Sequence, residues 1–130
     1  MSKILIVEDE GFLVQALKDN LEVEGYKISV AMNGDEAIES IKKDQPDLIL
    51  LDLLMPKRDG FFVIEEVKKN TEWKHIPIIV LSNIGGDTEI KKALEMGADD
   101  YFVKSQHPIE EVVEKVKDSL EGRKKTKTNL

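Results

Sequence analysis

Acidic residues stand at the ends of apolar segments of this chain, where an unpaired charge is costly. Glu8, Asp9 and Glu10 follow the apolar run Ile4–Val7 directly, and Asp52 interrupts the most hydrophobic stretch, "LILLDLLMP". Two like charges about 4 Å apart repel by about 4 kcal/mol at an effective dielectric constant near 20. A divalent cation would neutralise that repulsion, and an all-oxygen ligand set without cysteine or histidine suits Mg²⁺. The acids therefore indicate a magnesium site.

A hydroxyl and an ammonium follow two further apolar segments. Ser82 ends "IPIIVLS", and Lys104 follows "DDYFV". Taken singly, both are ordinary residues for a protein surface or strand end, and Asp9 has the common alternative role of capping the first helix. Asp52 is harder to explain structurally, because an unpaired charge inside an apolar stretch is expensive. The functional interpretation therefore rests on the combination of the Glu8, Asp9 and Asp52 carboxylates with one hydroxyl and one ammonium.

Strand-like segments alternate along the chain with segments whose apolar residues recur at helical spacing. The strand-like segments are "KILIV", "YKISVA", "PDLILLD", "IPIIVLS" and "DDYFV". The helical stripes are Phe12, Leu13, Ala16, Leu17 and Leu21; Ala37, Ile38 and Ile41; Phe62, Val63, Glu66 and Val67; Ile90, Ala93 and Leu94; and Ile109, Val112, Val113, Val116 and Leu120. Such βα units in series predict a parallel sheet with helices on both faces. Ligands of these sheets bind beyond the carboxyl ends of the strands, where the acids, the hydroxyl and the ammonium would meet.

Length and composition narrow the class of protein. A chain of 130 residues without cysteine is expected to form one domain that needs no disulfide and has no cysteine-based zinc site. Its apolar runs are short, so we expect no membrane span, no signal peptide and a cytoplasmic location. The net charge of −7 disfavours nucleic acid as a direct partner. We expect residues 1–121 to form the domain and residues 122–130 to be a disordered, basic and polar tail.

Several stretches of the chain, taken in order, resemble the receiver domain of two-component response regulators. "ILIVEDE" is similar to the first strand and acid pair of that family, and "DLILLDLLMPKRDG" to its phosphoacceptor strand and loop. "IPIIVLS" is similar to the hydroxyl strand, and "GADDYFVKS" to the segment with the switch aromatic and the lysine. The resemblance covers about residues 3–121. It implies a flavodoxin-like α/β fold, (βα)5, whose five-stranded parallel sheet has the order 2-1-3-4-5 with helices on both faces.

The resemblance also implies which residues bind metal and accept the phosphoryl group. Asp52 would take the phosphoryl group from a sensor histidine kinase or a phosphotransfer protein. Asp9, Asp52 and the backbone carbonyl of Leu54 would bind Mg²⁺, for which Mn²⁺ could substitute. Glu8 would act on the metal mainly through water. The protein would then catalyse only its own phosphorylation and slow dephosphorylation, and would not be a conventional enzyme.

The resemblance also implies roles for three residues of the fourth and fifth strands and the loop that follows them. Lys104 would neutralise the phosphoryl oxygens, and Ser82 would hydrogen-bond to one of them. Tyr101 would move inward behind Ser82 and so change the face formed by the fourth helix, the fifth strand and the fifth helix. This face would act on a downstream protein or on an effector domain. Direct contact with nucleic acid or a membrane is not expected.

Three positions depart from the usual pattern of the family. Ser105 replaces the proline that commonly follows the lysine, so we expect a trans Lys104–Ser105 bond, because a cis bond without proline costs about 3–4 kcal/mol. Asn83 is bulkier than the usual small residue after the hydroxyl. Ser82 itself replaces the commoner threonine. None of these changes removes a reacting group.

Other function classes remain open from the sequence. Aspartate-nucleophile phosphatases related to haloacid dehalogenases carry a second aspartate two residues after the nucleophile, where this chain has Leu54. A degenerate receiver that only binds partners would normally lack an acid, the acceptor or the lysine, and all are present here. A flavin-binding flavodoxin would need a phosphate loop rich in serine, threonine and glycine after the first strand, which this sequence does not show.

Overall fold

The computed structural model describes the backbone of residues 2–125, in which strands and helices alternate. The strands are β1 (Lys3–Val7), β2 (Lys27–Ala31), β3 (Leu48–Leu51), β4 (Ile78–Ser82) and β5 (Asp100–Val103). The helices are α1 (Gly11–Val23), α2 (Gly34–Lys43), α3 (Gly60–Lys69), α4 (Asp87–Met96) and α5 (Ile109–Lys125). Each segment therefore forms the type of element that its pattern predicts.

The strands form one parallel sheet in the order β2-β1-β3-β4-β5, which confirms the expected flavodoxin-like topology. Val7 pairs with Ala31 on one side and with Leu51 on the other, so β1, β2 and β3 end at the same level. At the other side of the sheet, Ser82 pairs with Val103. The residues that follow these pairs are the acids and the lysine that the sequence marks for chemistry.

Apolar side chains fill both faces of the sheet. β3 and β4 are buried along their whole length, as uninterrupted apolar runs predict for central strands covered on both sides. Successive side chains of a strand enter opposite layers. Ile49 and Leu51 pack with the buried residues of α2, α3 and α4, whereas Leu48 and Leu50 pack with those of α1 and α5. The two apolar layers hold the strands in place, and thereby fix the positions of the residues at the strand ends.

Side-chain caps fix the starts of α2 and α3. Asn33 Oδ1 accepts a hydrogen bond of 2.9 Å from the Glu36 amide, and Glu36 Oε1 accepts one of 2.9 Å from the Met32 amide. Asp59 Oδ1 accepts a hydrogen bond of 3.0 Å from the Phe62 amide. Such caps satisfy backbone donors that have no partner within the helix.

The start of α1 is different, because Glu10 occupies its N-cap position and no side chain caps it. The alternative role of Asp9 as the cap of the first helix is therefore wrong. Glu8 Oε2 accepts a hydrogen bond of 3.1 Å from the Glu10 amide, and neither Asp9 nor Glu10 caps α1 with its carboxylate.

Phe12 does not lie in the core, which corrects the predicted stripe of α1. Its side chain is 94% exposed, whereas Leu17 and Leu21 are buried and Leu13 packs beside them. Phe12 precedes Leu13 by one residue and is therefore rotated by about 100° around the helix from the buried line. In α4, Leu94 is likewise exposed, although Ala93 beside it is buried.

The carboxyl-terminal helix extends beyond the expected end of the domain. α5 continues to Lys125, so residues 122–125 are helical and do not match the expected disordered tail. Residues 126–130, the rest of that tail, lie outside the described residues, and the boundary at residue 121 stays a prediction. Within residues 2–125, no helix has the length and apolar character needed to cross a bilayer. The same residues contain no cis peptide bond, so Lys104–Ser105 is trans, as expected.

Candidate functional site

The ladder of main-chain hydrogen bonds continues past the strand ends and holds two of the acids. The Glu8 amide donates to the Ala31 carbonyl over 2.9 Å, and the Asp52 amide donates to the Val7 carbonyl over 2.9 Å. Both acids therefore begin where the buried strands end, on the adjacent strands β1 and β3. Their backbones are fixed by the same bonds that build the sheet.

The three predicted acids come together at this edge of the sheet. Glu8, Asp9 and Asp52 each offer a carboxylate oxygen, and these oxygens lie within 4.8 Å of one another. Glu8 is 3% exposed and Asp52 is 4% exposed, whereas Asp9 is open to solvent. Oxygen donors at this spacing, with one side open, form a ligand set that suits a hard divalent cation.

Burial makes the charges of this cluster costly. It raises the pKa of Glu8 from 4.5 to about 7, and the negative charge of Asp52 adds to the shift, although the Lys104 ammonium opposes it. Burial also raises the pKa of Asp52, against the opposing effect of Lys104 and of a hydrogen bond from the Leu54 amide. A buried carboxylate is disfavoured until a cation compensates for its lost hydration. A nearby positive charge would therefore stabilise the ionised form of these carboxylates.

Lys104 supplies part of that charge. Its amide donates to the Ser82 carbonyl over 2.8 Å, which carries the β4–β5 pairing one residue further. Its Nζ lies 2.9 Å from Glu8 Oε1, 3.6 Å from Asp52 Oδ2 and 3.4 Å from Glu10 Oε2. Burial lowers the pKa of Lys104, but the hydrogen bond to Glu8 and the nearby carboxylates outweigh it, so the pKa is raised overall.

The contact with Glu10 was not predicted from the sequence. The sequence did contain a signal, because Glu10 is a third acid in the same run as Glu8 and Asp9. The direction of its side chain, back over the end of the sheet toward Lys104, depends on the start of α1. That start is known only once the fold is known.

Ser82 and Tyr101 are linked through Ile84 of the β4–α4 loop. Ser82 is fully buried, and its Oγ accepts a hydrogen bond of 3.3 Å from the Ile84 amide. The Tyr101 hydroxyl donates to the Ile84 carbonyl over 2.7 Å. Tyr101 is partly buried against the core layer under α2, α3 and α4. The predicted hydroxyl and switch aromatic therefore share one backbone partner.

The loop after Asp52 brings a backbone amide to the carboxylate. Asp52 Oδ1 accepts a hydrogen bond of 3.3 Å from the Leu54 amide, and the Leu54 side chain is 58% exposed. The loop closes where the Gly60 amide donates to the Leu53 carbonyl over 3.0 Å. A Cβ at Gly60 would lie 2.4 Å from the Asp52 carbonyl oxygen, closer than non-bonded atoms approach. Glycine at this position is required for α3 to start against the backbone of Asp52.

Comparison with protein families agrees with this geometry. The model of the family described as "Response regulator receiver domain" matches residues 4–117. The chain therefore belongs to the response regulator receiver domains, a class of two-component signalling proteins. Membership in this family argues against the haloacid dehalogenase-like and flavodoxin alternatives.

Individual relatives support the same assignment. A protein of Porphyra purpurea described as "probable transcriptional regulator ycf27" is 38% identical over 98% of this chain and 51% of its own length. The crystal structure of a two-component response regulator from Clostridium difficile has a TM-score of 0.85 and 34% identity, covering 93% of this chain and 97% of that one. The Mn(2+)-bound form of response regulator Rcp1 has a TM-score of 0.82 and 26% identity, covering 91% and 93%. The chain spans about half the length of the curated relatives it matches.

Proposed function

We propose that this domain is a phosphoacceptor switch in which Asp52 takes a phosphoryl group from the phosphohistidine of a sensor histidine kinase or a phosphotransfer protein. The observation that carries the proposal is the setting of Asp52. Its carboxylate is buried, has an ammonium 3.6 Å away and has two further acids beside it. Buried groups with perturbed pKa values and specific charged partners are typical of functional sites.

The reaction that this setting supports is an in-line displacement at phosphorus. An oxygen of Asp52 attacks, and a new O–P bond forms as the P–N bond to the histidine breaks. The imidazole leaves with the bonding electrons and takes up a proton from solvent. Such transfers depend mostly on positioning and on neutralising the charge of the phosphoryl oxygens.

Residues around Asp52 provide hydrogen-bond donors and positive charge for the phosphoryl oxygens. Lys104 and Ser82 lie at the ends of the neighbouring strands, where a hydroxyl and an ammonium can donate to phosphoryl oxygens. The Leu54 amide already donates to Asp52 and is a third candidate donor. We assign the metal site to Glu8, Asp9 and Asp52 with the Leu54 carbonyl. Bound Mg²⁺, or Mn²⁺ in its place, would neutralise charge there, and the Mn²⁺-bound relative supports this assignment.

The output of the switch would follow from the added charge. An aspartyl phosphate brings about −1.5 to −2 charge to the end of the sheet. We propose that Ser82 moves to donate to it and that Tyr101 follows, since both bind the backbone of Ile84. This change would alter the face of α4, β5 and α5, which would act on a downstream protein or an effector domain. The curated relatives named as transcriptional regulators support an effector domain as one such target.

The test is intact-mass spectrometry after incubation with acetyl phosphate. We expect one phosphoryl adduct on the native protein with Mg²⁺, none after chelation and none on Asp52→Asn. An Asp59→Asn variant is a control, because Asp59 caps α3 and lies outside the acid cluster. Equal labelling of the native protein and Asp52→Asn would refute Asp52 as the acceptor. Labelling that survives chelation would refute the metal assignment.

A further inference from the structure

The ammonium of Lys104 is shared among three carboxylates. Its ion-pair partners in the described part of the chain are Glu8 Oε1 at 2.9 Å, Glu10 Oε2 at 3.4 Å and Asp52 Oδ2 at 3.6 Å. A lysine ammonium has three N–H donors. The ammonium therefore already interacts with three acids before any phosphoryl group arrives.

The three acids differ in how they are held. Glu8 and Asp52 are buried, and their backbones are bonded into the sheet. The Glu10 side chain is 56% exposed and does not cap α1, although Glu10 occupies the N-cap position. Its carboxylate is therefore the partner of Lys104 that is exposed to solvent.

We infer that Glu10 is a positioning residue that restrains Lys104 at the open side of the site and thereby slows phosphorylation of Asp52. A phosphoryl oxygen that binds Lys104 must compete with a carboxylate for its donors. Of the three carboxylates, displacing that of Glu10 costs the least free energy, because this exposed group regains full hydration. This inference rests on the proposed role of Lys104 as a donor to the phosphoryl group.

The restraint should be moderate, because exposed ion pairs are weak and are screened by salt. Replacing Glu10 by glutamine removes the charge and keeps the shape. We expect the initial rate of phosphorylation by acetyl phosphate to rise about two- to fivefold, with a smaller gain at high ionic strength.

Two further variants separate restraint of Lys104 from general repulsion of the anion. Glu10→Asp keeps the charge but withdraws the carboxylate by one methylene from a contact that is already 3.4 Å long. Asp87→Asn removes an exposed acid from the first turn of α4, at the same end of the sheet, that forms no ion pair with Lys104 among the described residues. We expect Glu10→Asp to accelerate phosphorylation nearly as much as Glu10→Gln, and Asp87→Asn to leave the rate unchanged.

The rates are measured on the full chain with Mg²⁺ by intact mass. No gain, or a loss, in Glu10→Gln would overturn the inference. A native rate in Glu10→Asp, or an equal gain in Asp87→Asn, would also overturn it, since repulsion at a distance would then be sufficient.

A second measurement does not depend on phosphorylation. In metal-free protein, the NMR signals of the Lys104 side-chain terminus should shift in Glu10→Gln and Glu10→Asp and should stay in place in Asp87→Asn. Unchanged signals in the Glu10 variants would show that the ion pair does not form in solution and would end the inference. If the native protein accepts no phosphoryl group although the signals shift as expected, the proposed function fails and the ion pair stands.

Discussion

The two halves of the site differ in how firmly the fold holds them. In the acid half, at the ends of β1 and β3, Glu8 and Asp52 are buried and their amides extend the hydrogen bonds of the sheet. In the readout half, Ser82 at the end of β4 and Tyr101 within β5 both bind the loop residue Ile84.

This difference matches two physical requirements. In the proposed reaction the attacking carboxylate needs a fixed position, which the sheet provides in the acid half. An element that must change state needs few bonds to break, and the Ser82 and Tyr101 hydroxyls each contact the β4–α4 loop through one hydrogen bond to Ile84. The comparison predicts that small changes disrupt folding in the acid half and disrupt mainly signalling in the readout half.

The largest expected effect tests the rigidity of the acid half. In Gly60→Ala, the new Cβ would lie 2.4 Å from the Asp52 carbonyl oxygen, so α3 or β3 must shift. We expect a loss of about 3 kcal/mol in the free energy of unfolding, measured in urea. Gly11→Ala is the matched control, because Gly11 also begins a helix and its Cβ would meet nothing within 4 Å. It should be neutral or stabilise by up to about 1 kcal/mol, and equal losses in both variants would contradict the steric argument.

The second prediction concerns the lifetime of the aspartyl phosphate. One residue from each half of the site is involved. Leu54 and Ile84 follow Asp52 and Ser82 by two residues each, and neither side chain can hydrogen-bond an attacking water. We expect a lifetime of minutes or longer, and a Leu54→Asn plus Ile84→Glu variant should shorten it about tenfold, or about 1.4 kcal/mol of barrier.

The exposures of the two side chains sharpen this prediction. Leu54 is exposed at the acid half, whereas Ile84 packs partly against the core. Leu54→Asn alone should therefore give most of the effect. The measurement is the rate of phosphate release from the native protein and the variants. A native lifetime of seconds that the double substitution leaves unchanged would contradict the prediction.

A third prediction tests the electrostatic cost of the acid half without metal. In Asp52→Asn, one buried carboxylate of raised pKa is replaced by a neutral group that can still accept the bond from the Leu54 amide. We expect the metal-free variant to be more stable by about 1 kcal/mol, with a melting temperature about 4 °C higher. Mg²⁺ should raise the melting temperature of the native protein more than that of the variant. Calorimetry with and without Mg²⁺ checks both, and a less stable metal-free variant would show that attraction to Lys104 outweighs burial.

The smallest expected effect lies in the readout half. Tyr101→Phe removes the hydroxyl that donates to the Ile84 carbonyl and should lower the free energy of unfolding by about 0.5–1 kcal/mol. Tyr26→Phe is the control, because within the described residues the Tyr26 hydroxyl forms no hydrogen bond. Phosphorylation of Asp52 should proceed in Tyr101→Phe. A large loss of stability there would mean that the readout half is as rigid as the acid half.

The sequence predicted the elements well because their periodicity is strong. The uninterrupted runs of β3 and β4 and the acids that follow β1 and β3 were sufficient to place Asp52 beside Glu8. The order of the sheet came from the resemblance to receiver domains, since periodicity alone does not fix strand order. The trans bond before Ser105 followed from the cost of a cis bond without proline.

What the sequence did not show depends on directions and close approaches in space. Phe12 has the right type for a core residue, but the exact phase of the first helical turn points it to solvent. The Glu10 contact with Lys104 joins residues far apart in sequence. The need for Gly60 comes from a backbone on another element, which no local pattern reveals.

The loop between Asp52 and Gly60 has a consequence for protein engineering. Its backbone is anchored at the Leu54 amide and at the Gly60 amide, and the Arg58 carbonyl accepts a bond of 2.9 Å from the Gly34 amide at the start of α2. Inserting or deleting a residue would break at least one anchor, and Asp59 must stay because its side chain caps α3. A library that aims to change the proposed phosphodonor should therefore keep the length of the loop and Asp59, and vary the other exposed side chains.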